Sequence, residues 1–322
     1  TGLVMVLIHR SPADTAPEVL PDLNRLPGYL EINLGELPAA SIGELLGNRL
    51  QGPVSPLVSS FIETYAQGNP LFAETMAEAL RESQAIEPRP VDGVWVLSET
   101  LLTQLRAGNF LRFEHDQWQL VANVPLTALD LGLPDTIQGL VLTRIDRLPE
   151  LEKLTLKVAS VIGRRFEFSL LLETHPLHLP PDKLMEVLQV LEAGSLVQIE
   201  QPAPHVAYQF KHQVIQEVAY RTLLFAQLRE LHLQIATWYE AKVEASGKLT
   251  SWSPYLPLLV HHYRYAEAPE QECYYAGLAG EQAARRFANA EAINYLSRAL
   301  ALTPDPDATR RCTLLLARER VY

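Results

Sequence analysis

The chain has 322 residues, which is long for one ordinary domain and predicts two or three. Its 48% apolar and 20% charged content is typical of a folded globular protein rather than a disordered one. The formal net charge of -11 argues against broad binding to nucleic acids or acidic membranes, because phosphate contacts need clustered lysine and arginine.

Cysteine usage and hydropathy point to a cytoplasmic protein. Only Cys273 and Cys312 occur, far apart and without metal-type spacing, which fits a reducing compartment and not a disulfide framework. No apolar run reaches the roughly 18 residues needed to span a membrane, so we expect no membrane partner.

The first part of the chain reads as a strand, a connector and three helices. The continuous apolar run at 3–8 predicts a buried strand of a parallel sheet, with partner strands expected upstream of Thr1. Residues 11–40 are rich in proline and read as a connector, with a short edge strand at 31–34. A capping box at Ser41 predicts a helix to about Leu50, Ser55-Pro56 begins a second that stops at Gly68, and Pro70 begins a third.

The middle of the chain combines helices with a hairpin. Strands at 94–97 and 117–121 are predicted around a helix at 100–106, followed by helices at 134–147, 150–162 and 181–192. Alternating residues at 196–199 and 205–210, joined by Gln201-Pro202-Ala203-Pro204, predict a hairpin, and residues 214–239 predict one further helix. Helices followed by such a hairpin are the pattern of a winged helix.

From Pro254 onward the sequence predicts helices only, and one stretch fits a tetratricopeptide (TPR) pattern. Gly280 takes the small position of the first helix, Ala292, Leu296 and Ala299 follow in the second, and Pro304 closes the unit. The alternative is a plain amphipathic helix hairpin. One repeat cannot bury its own face, so further repeats are expected after Tyr322.

Chemical motifs of enzymes and metal centres are missing from the sequence. It contains no His-Glu-x-x-His, Cys-x-x-Cys or Gly-x-Ser-x-Gly, and no Gly-x-x-x-x-Gly-Lys-Ser/Thr phosphate loop. His261 and His262 are adjacent, so on a helix they diverge by about 100° and are expected to be one packed and one exposed side chain rather than a metal pair. We therefore expect no catalytic residue and no metal ligand in this chain.

Five segments, in this order, resemble the signal-transducing ATPases with numerous domains, the STAND class of AAA-like NTPases. The closest subgroup is the bacterial ATPase modules attached to adenylate/guanylate cyclase, protein kinase or transcription-activator domains. The segments are Val6-Leu7-Ile8-His9-Arg10-Ser11-Pro12, Gly68-Asn69-Pro70-Leu71-Phe72-Ala73-Glu74, residues 133–148, Val158-Ala159-Ser160-Val161-Ile162-Gly163, and residues 210–220 beginning Phe210-Lys211-His212-Gln213.

The resemblance implies a mainly α fold with the remnant of an α/β P-loop NTPase sheet. Residues 1–40 would be the end of the NTPase core, and 41–148 a helical lid with an insertion at about 86–132. Residues 149–240 would be a winged-helix domain with its β-hairpin, and 250–322 the start of TPR-like helical repeats.

The resemblance also implies nucleotide contacts for five residues. Arg10 matches the family's sensor arginine, Gly68, Asn69 and Pro70 match the turn whose proline packs on adenine, and His212 matches the histidine that reaches the β-phosphate. Read without the family, Arg10 is a solvated arginine, the turn is a helix junction and His212 is a core histidine. Gln213 replaces the Asp that follows the histidine in related plant and animal switches, which weakens the expected ADP locking.

The function implied is the regulatory part of an ATP/ADP-dependent signalling switch. The parent protein would be an ATPase binding ATP or ADP with magnesium, whereas this chain alone is expected to bind no cofactor. Expected partners are an upstream P-loop domain of the same protein and a protein ligand or effector domain on the helical repeats. Direct DNA binding is not expected, because acidic residues outnumber basic ones over 150–230 and Lys183 is the only basic residue in the helix before the hairpin. The alternatives are a non-enzymatic TPR-type scaffold with a vestigial nucleotide site and the regulatory half of a transcription activator.

Overall fold

The computed structural model describes residues 30, 32, 35–108, 110–114, 117–121, 129, 136–245, 254–304 and 306–321. Over these residues the protein is mainly helical, with small antiparallel sheets, as the sequence predicted at this coarse level. The predicted strand at 3–8 lies outside the described residues, and of the predicted strand at 31–34 only residue 32 is described. The helices are α1 (Ala39–Leu50), α2 (Pro56–Ala66), α3 (Pro70–Glu82), α4 (Glu99–Ala107), α5 (Ile137–Asp146), α6 (Glu150–Ile162), α7 (Phe168–Thr174), α8 (Pro181–Ala193), α9 (Gln213–Arg221), α10 (Phe225–Ala245), α11 (Leu256–Tyr265), α12 (Pro269–Arg285), α13 (Asn289–Leu302) and α14 (Ala308–Glu319).

Helices α1 to α4 enclose a first hydrophobic core around Ile42, Phe61 and Met76. The predicted cap of α2 is confirmed, because the Ser55 hydroxyl accepts a hydrogen bond from the Val58 amide at 3.3 Å. The predicted capping box of α1 is wrong: the helix begins at Ala39, so Ser41 lies inside its first turn.

The strands between α3 and α5 pair locally. β1 (Ile86–Pro88) pairs with β2 (Trp95–Leu97), and β3 (Leu111–Glu114) pairs with β4 (Gln117–Leu120), both antiparallel. The sequence predicted β2, α4 and β4 but neither of the partner strands. The two predicted strands therefore belong to separate hairpins on either side of α4.

The second core contains Val141 and Ile145 of α5 and continues with α6, whose predicted bounds are confirmed. The predicted hairpin is also confirmed: β6 (Val197–Gln201) pairs antiparallel with β7 (Ala207–Phe210). On its other edge β7 pairs with β5 (Arg165–Glu167), an unpredicted strand, so the sheet has the order β5-β7-β6.

Residues 214–239 are largely helical as predicted, but they divide into two separate helices, α9 and α10. No glycine or proline marks the break. After Thr222 the chain restarts with the Leu224 amide donating to the Gln227 side chain at 3.1 Å, so a glutamine supplies the cap of α10.

Helices α10 to α14 form a row in which each contacts the next. Glu240 of α10 accepts hydrogen bonds from the Tyr263 hydroxyl at 2.7 Å and the Tyr275 hydroxyl at 2.6 Å, which ties α10 to α11 and α12. Buried Glu272 of α12 makes a two-pronged ion pair with Arg298 of α13, at 2.7 and 3.0 Å. Cys273 is buried and donates to the Ala299 carbonyl, whereas Cys312 on α14 is exposed; both are free thiols.

Arg144 of α5 joins the two cores. It is only 5% exposed, and it donates to the Glu82 carboxylate of α3 at 3.1 Å and to the Gly194 carbonyl at 2.7 Å. Gly194 is the residue that ends α8. One guanidinium therefore contacts an element of each core.

Gly280 and Gly277 give a matched test of the packing between α12 and α13. A Cβ at Gly280 would lie 2.6 Å from Leu296 Cγ, whereas one at Gly277 would meet Leu314 at an ordinary 3.6 Å. We expect Gly280→Ala to lower the free energy of unfolding by about 1–2 kcal/mol, since overpacking outweighs the gain in helix propensity. Gly277→Ala should raise it by about 0.5–1 kcal/mol. Urea denaturation of both variants measures the difference, and a gain in stability for Gly280→Ala would contradict this close packing.

Candidate functional site

The turn between α2 and α3 is shaped by Gly68. Its φ of +74° favours glycine, and an added Cβ would lie 2.5 Å from the Glu36 Cβ. The Leu37 amide donates to the Gly68 carbonyl at 2.8 Å. The glycine thus lets the segment at 36–37 cross directly over the turn.

Pro70 begins α3 as predicted, and Asn69 precedes it as the N-cap residue. The Asn69 side chain caps the helix by accepting from the Phe72 amide at 3.2 Å, and Pro70 occupies the first turn, where no amide hydrogen is needed. Both residues are exposed, whereas Phe72 is buried in the first core. Phe72 therefore belongs to the core, although it directly follows the exposed turn.

An open cleft of about 640 Å³ lies beside this turn. Tyr65 is one of its lining residues, and burial raises the pKa of its hydroxyl to about 12, so it stays neutral near neutral pH. The cleft is lined by Gly35, Glu36, Tyr65, Ala66, Gln67, Gly68, Asn69, Pro70 and Phe72.

His212 stands at the junction between β7 and α9. It is the N-cap residue of α9, with extended φ and ψ of -132° and 144°, and its side chain makes no capping hydrogen bond. The next residue, Gln213, bonds to the side chains of Gln216 and Glu217 at 3.3 Å, within its own helix.

Glu74 of α3 faces the start of α9. Its carboxylate lies 3.4 Å from His212 Nε2 and 3.6 Å from Lys211 Nζ. The neighbouring His212 imidazole lowers the pKa of Glu74, against the opposing effect of burial, and the charge of Lys211 lowers it further. Glu74 follows Pro70 by four residues, or about 6 Å along the helix axis.

The structure thus brings four of the five sequence-predicted site residues to one region. Gly68, Asn69 and Pro70 begin α3, and His212 contacts the same helix through Glu74. Arg10 lies outside the described residues. Sequence reasoning missed Glu74 and Lys211 as partners of this site, although both lie in the motif segments, because nothing in one sequence indicates which distant charges meet.

Comparison with known proteins adds no assignment. No protein-family model matches the chain, and no curated protein matches it significantly. Among the described residues, no helix combines the length and the apolar character needed to cross a membrane.

The contact between Glu74 and α9 predicts a pH dependence. Because the pKa of Glu74 is lowered in the folded protein, its ionised form stabilises the fold above the ordinary value of 4.5, and this contribution is lost as the pH falls through the lowered folded-state pKa. We expect Glu74→Gln to lose less stability than the wild type between pH 7 and pH 3. Urea denaturation at both pH values gives the comparison, with exposed Glu87→Gln as the control for removing one carboxylate. Parallel losses in wild type and Glu74→Gln would show that the pairing contributes nothing.

Proposed function

We propose that this chain is the regulatory part of an ATP/ADP-dependent signalling switch, in which residues 41–148 act as a lid and 149–240 as a winged helix. The observation that carries the proposal is the approach of Lys211 and His212 to Glu74, one helical turn after Pro70. It places two potential phosphate donors next to the helix that begins at the candidate adenine-contacting proline.

The residues at this place fit part of a nucleotide. Pro70 is exposed beside the open cleft, where its rigid apolar ring is available to an adenine. Lys211 and His212, at the start of α9, offer nitrogen donors to an anion, and the helix N-terminus adds a favourable field. A phosphate loop is absent from the sequence, so the main grip on the phosphates, and the magnesium ion with it, would belong to a separate nucleotide-binding core.

Glu74 gives the proposed switch two competing states. In the structure the carboxylate of Glu74 engages Lys211 and His212. A phosphate group would compete with this carboxylate for the same two donors. Nucleotide binding would then replace the ion pair between Glu74 and the start of α9 by an ion pair between α9 and the ligand. The contact between α3 and α9 would change as a result.

The helical row supports the second half of the proposal, the coupling to a partner. Gly280 lies against Leu296, with Ala292, Leu296 and Ala299 fully buried, as a TPR-like pair of helices requires. In this proposal α11 to α14 belong to a repeat sensor that binds a protein ligand or an effector domain. Movement of the winged helix would reach this row through α10.

The second candidate function is a scaffold that binds protein through the helical row and does not use nucleotide. It is favoured by the packing at Gly68, because the crossing of Glu36 and Leu37 already accounts for the glycine without a ligand. Measurement of nucleotide affinity separates the two candidates.

The proposed switch predicts a loss of ADP affinity in the parent protein when His212 is changed. His212→Ala removes one hydrogen bond to a charged phosphate, worth about 1.5–3 kcal/mol, and should weaken ADP binding roughly ten- to a hundredfold. Glu74→Gln, which removes the competing carboxylate, should leave ADP binding equal or tighter. Calorimetric titration gives both affinities, with exposed His205→Ala as the control.

Two results would count against the proposed switch. The first is unchanged ADP affinity together with a large loss of thermal stability in His212→Ala, which would make His212 a core histidine. The second is low-micromolar binding of Mg-ATP by this chain alone, because the proposal leaves the phosphate grip to a separate core.

A further inference from the structure

Three histidines meet between α10 and α11, away from the proposed nucleotide site. His232 comes from α10, and His261 and His262 come from the end of α11. One ring nitrogen of each lies within 4.8 Å of those of the other two. His232 and His262 are buried, whereas His261 is exposed and gives the group access to solvent.

Sequence reasoning treated His261 and His262 as unrelated, because adjacent helical positions diverge. Their burial is as expected, one packed and one exposed. The expectation that they form no metal pair did not take His232 into account. His232 lies 5.7 Å from His261 and 5.0 Å from His262 between ring centroids, and so brings the divergent pair into one cluster.

The hydrogen bonds around the cluster orient the rings. The Tyr220 hydroxyl lies 3.0 Å from His232 Nε2, which directs Nδ1 of the same ring toward His262. The two Nδ1 atoms of His232 and His262 are 2.8 Å apart. A second partner that fixes the far nitrogen of a ligating histidine is typical of metal sites.

His262 has a ring nitrogen that the fold does not use. Its Nε2 is buried and has no hydrogen-bond partner among the described residues. Burial of an imidazole nitrogen without a partner costs the hydrogen bond that water would make. Coordination of a metal by the His262 ring would offset part of that cost.

We propose that His232, His261 and His262 form a binding site for a divalent late transition metal that clamps α10 to α11. The 2.8 Å between the two Nδ1 atoms is the length of a hydrogen bond between the rings, which a metal would replace. Imidazole nitrogens suit Ni²⁺, Cu²⁺ and Zn²⁺ and do not suit Mg²⁺, and the exposed His261 ring has the freedom to complete the set.

The test uses the untagged chain, stripped with chelator and titrated calorimetrically with Ni²⁺ and Zn²⁺, and with Mg²⁺ as a negative control. We expect one Ni²⁺ or Zn²⁺ bound per chain, no binding of Mg²⁺, and a rise in melting temperature on Ni²⁺ addition. His261→Ala should weaken Ni²⁺ binding at least tenfold and abolish the rise, and it should fold normally because His261 is exposed. Exposed His205→Ala should change neither.

A second variant tests the orienting role of Tyr220. Tyr220→Phe keeps the ring but removes the hydroxyl that bonds His232, and should weaken Ni²⁺ binding about tenfold or more. Electron paramagnetic resonance of the Cu²⁺ form should show coupling to three nitrogens in the wild type and two in His261→Ala. The proposal is overturned if the chain shows no saturable Ni²⁺ or Cu²⁺ binding, or if His261→Ala binds Ni²⁺ as tightly as the wild type.

Discussion

The relation between the two cores depends on the buried guanidinium of Arg144. Its two bonds differ in kind: one goes to a carboxylate on α3, the other to the backbone carbonyl that ends α8. A cation at a helix C-terminus is favoured by the helix dipole, and the planar guanidinium reaches the two acceptors from two different nitrogens, Nε and Nη2. Since Arg144 is almost fully buried, losing Glu82 would leave its charge without a counter-ion, and losing the Gly194 carbonyl would remove one of its two acceptors, so α3, α5 and α8 are constrained together.

Polar contacts of buried or half-buried acids also hold helices together within each core. Glu78, 1% exposed, pairs with Arg49 of α1 and Arg81 of its own helix α3. Glu240 and Glu272 likewise bond side chains of neighbouring helices in the row from α10 to α14. Buried ion pairs add little net stability compared with apolar packing, but they are directional. We infer that these acids set helix orientation, while aliphatic side chains supply the driving force for burial.

Local signals in the sequence predicted the helices well and the long-range pairings poorly. Ser55-Pro56 and Asn69-Pro70 marked helix starts because capping involves residues only a few positions apart. Ser41 predicted the wrong helix start, because the capping pattern also occurs inside a helix. The break between α9 and α10 was missed because a glutamine side chain caps α10 and no glycine or proline marks the break. The strands β1, β3 and β5 are as short as β2 and β4, but each contains charged residues, such as Glu87, Arg112 and Arg165, and so lacks the apolar and aromatic signal that predicted the other two. The contacts of Glu74 with α9, and of His232 with α11, depend on tertiary packing and leave no mark in one sequence.

The contrast between the two thiols has a practical consequence for following motion in this protein. Cys312 is exposed on α14, whereas Cys273 is enclosed between α12 and α13 with its sulfur bonded to a backbone carbonyl. A maleimide dye should therefore react at one position of the natural sequence, because the buried thiol is shielded from reagent. A second cysteine introduced on an exposed face of α1 would place a dye on the other core. Energy transfer between the two dyes would then report directly whether the helical row moves relative to α1, without removing either native cysteine.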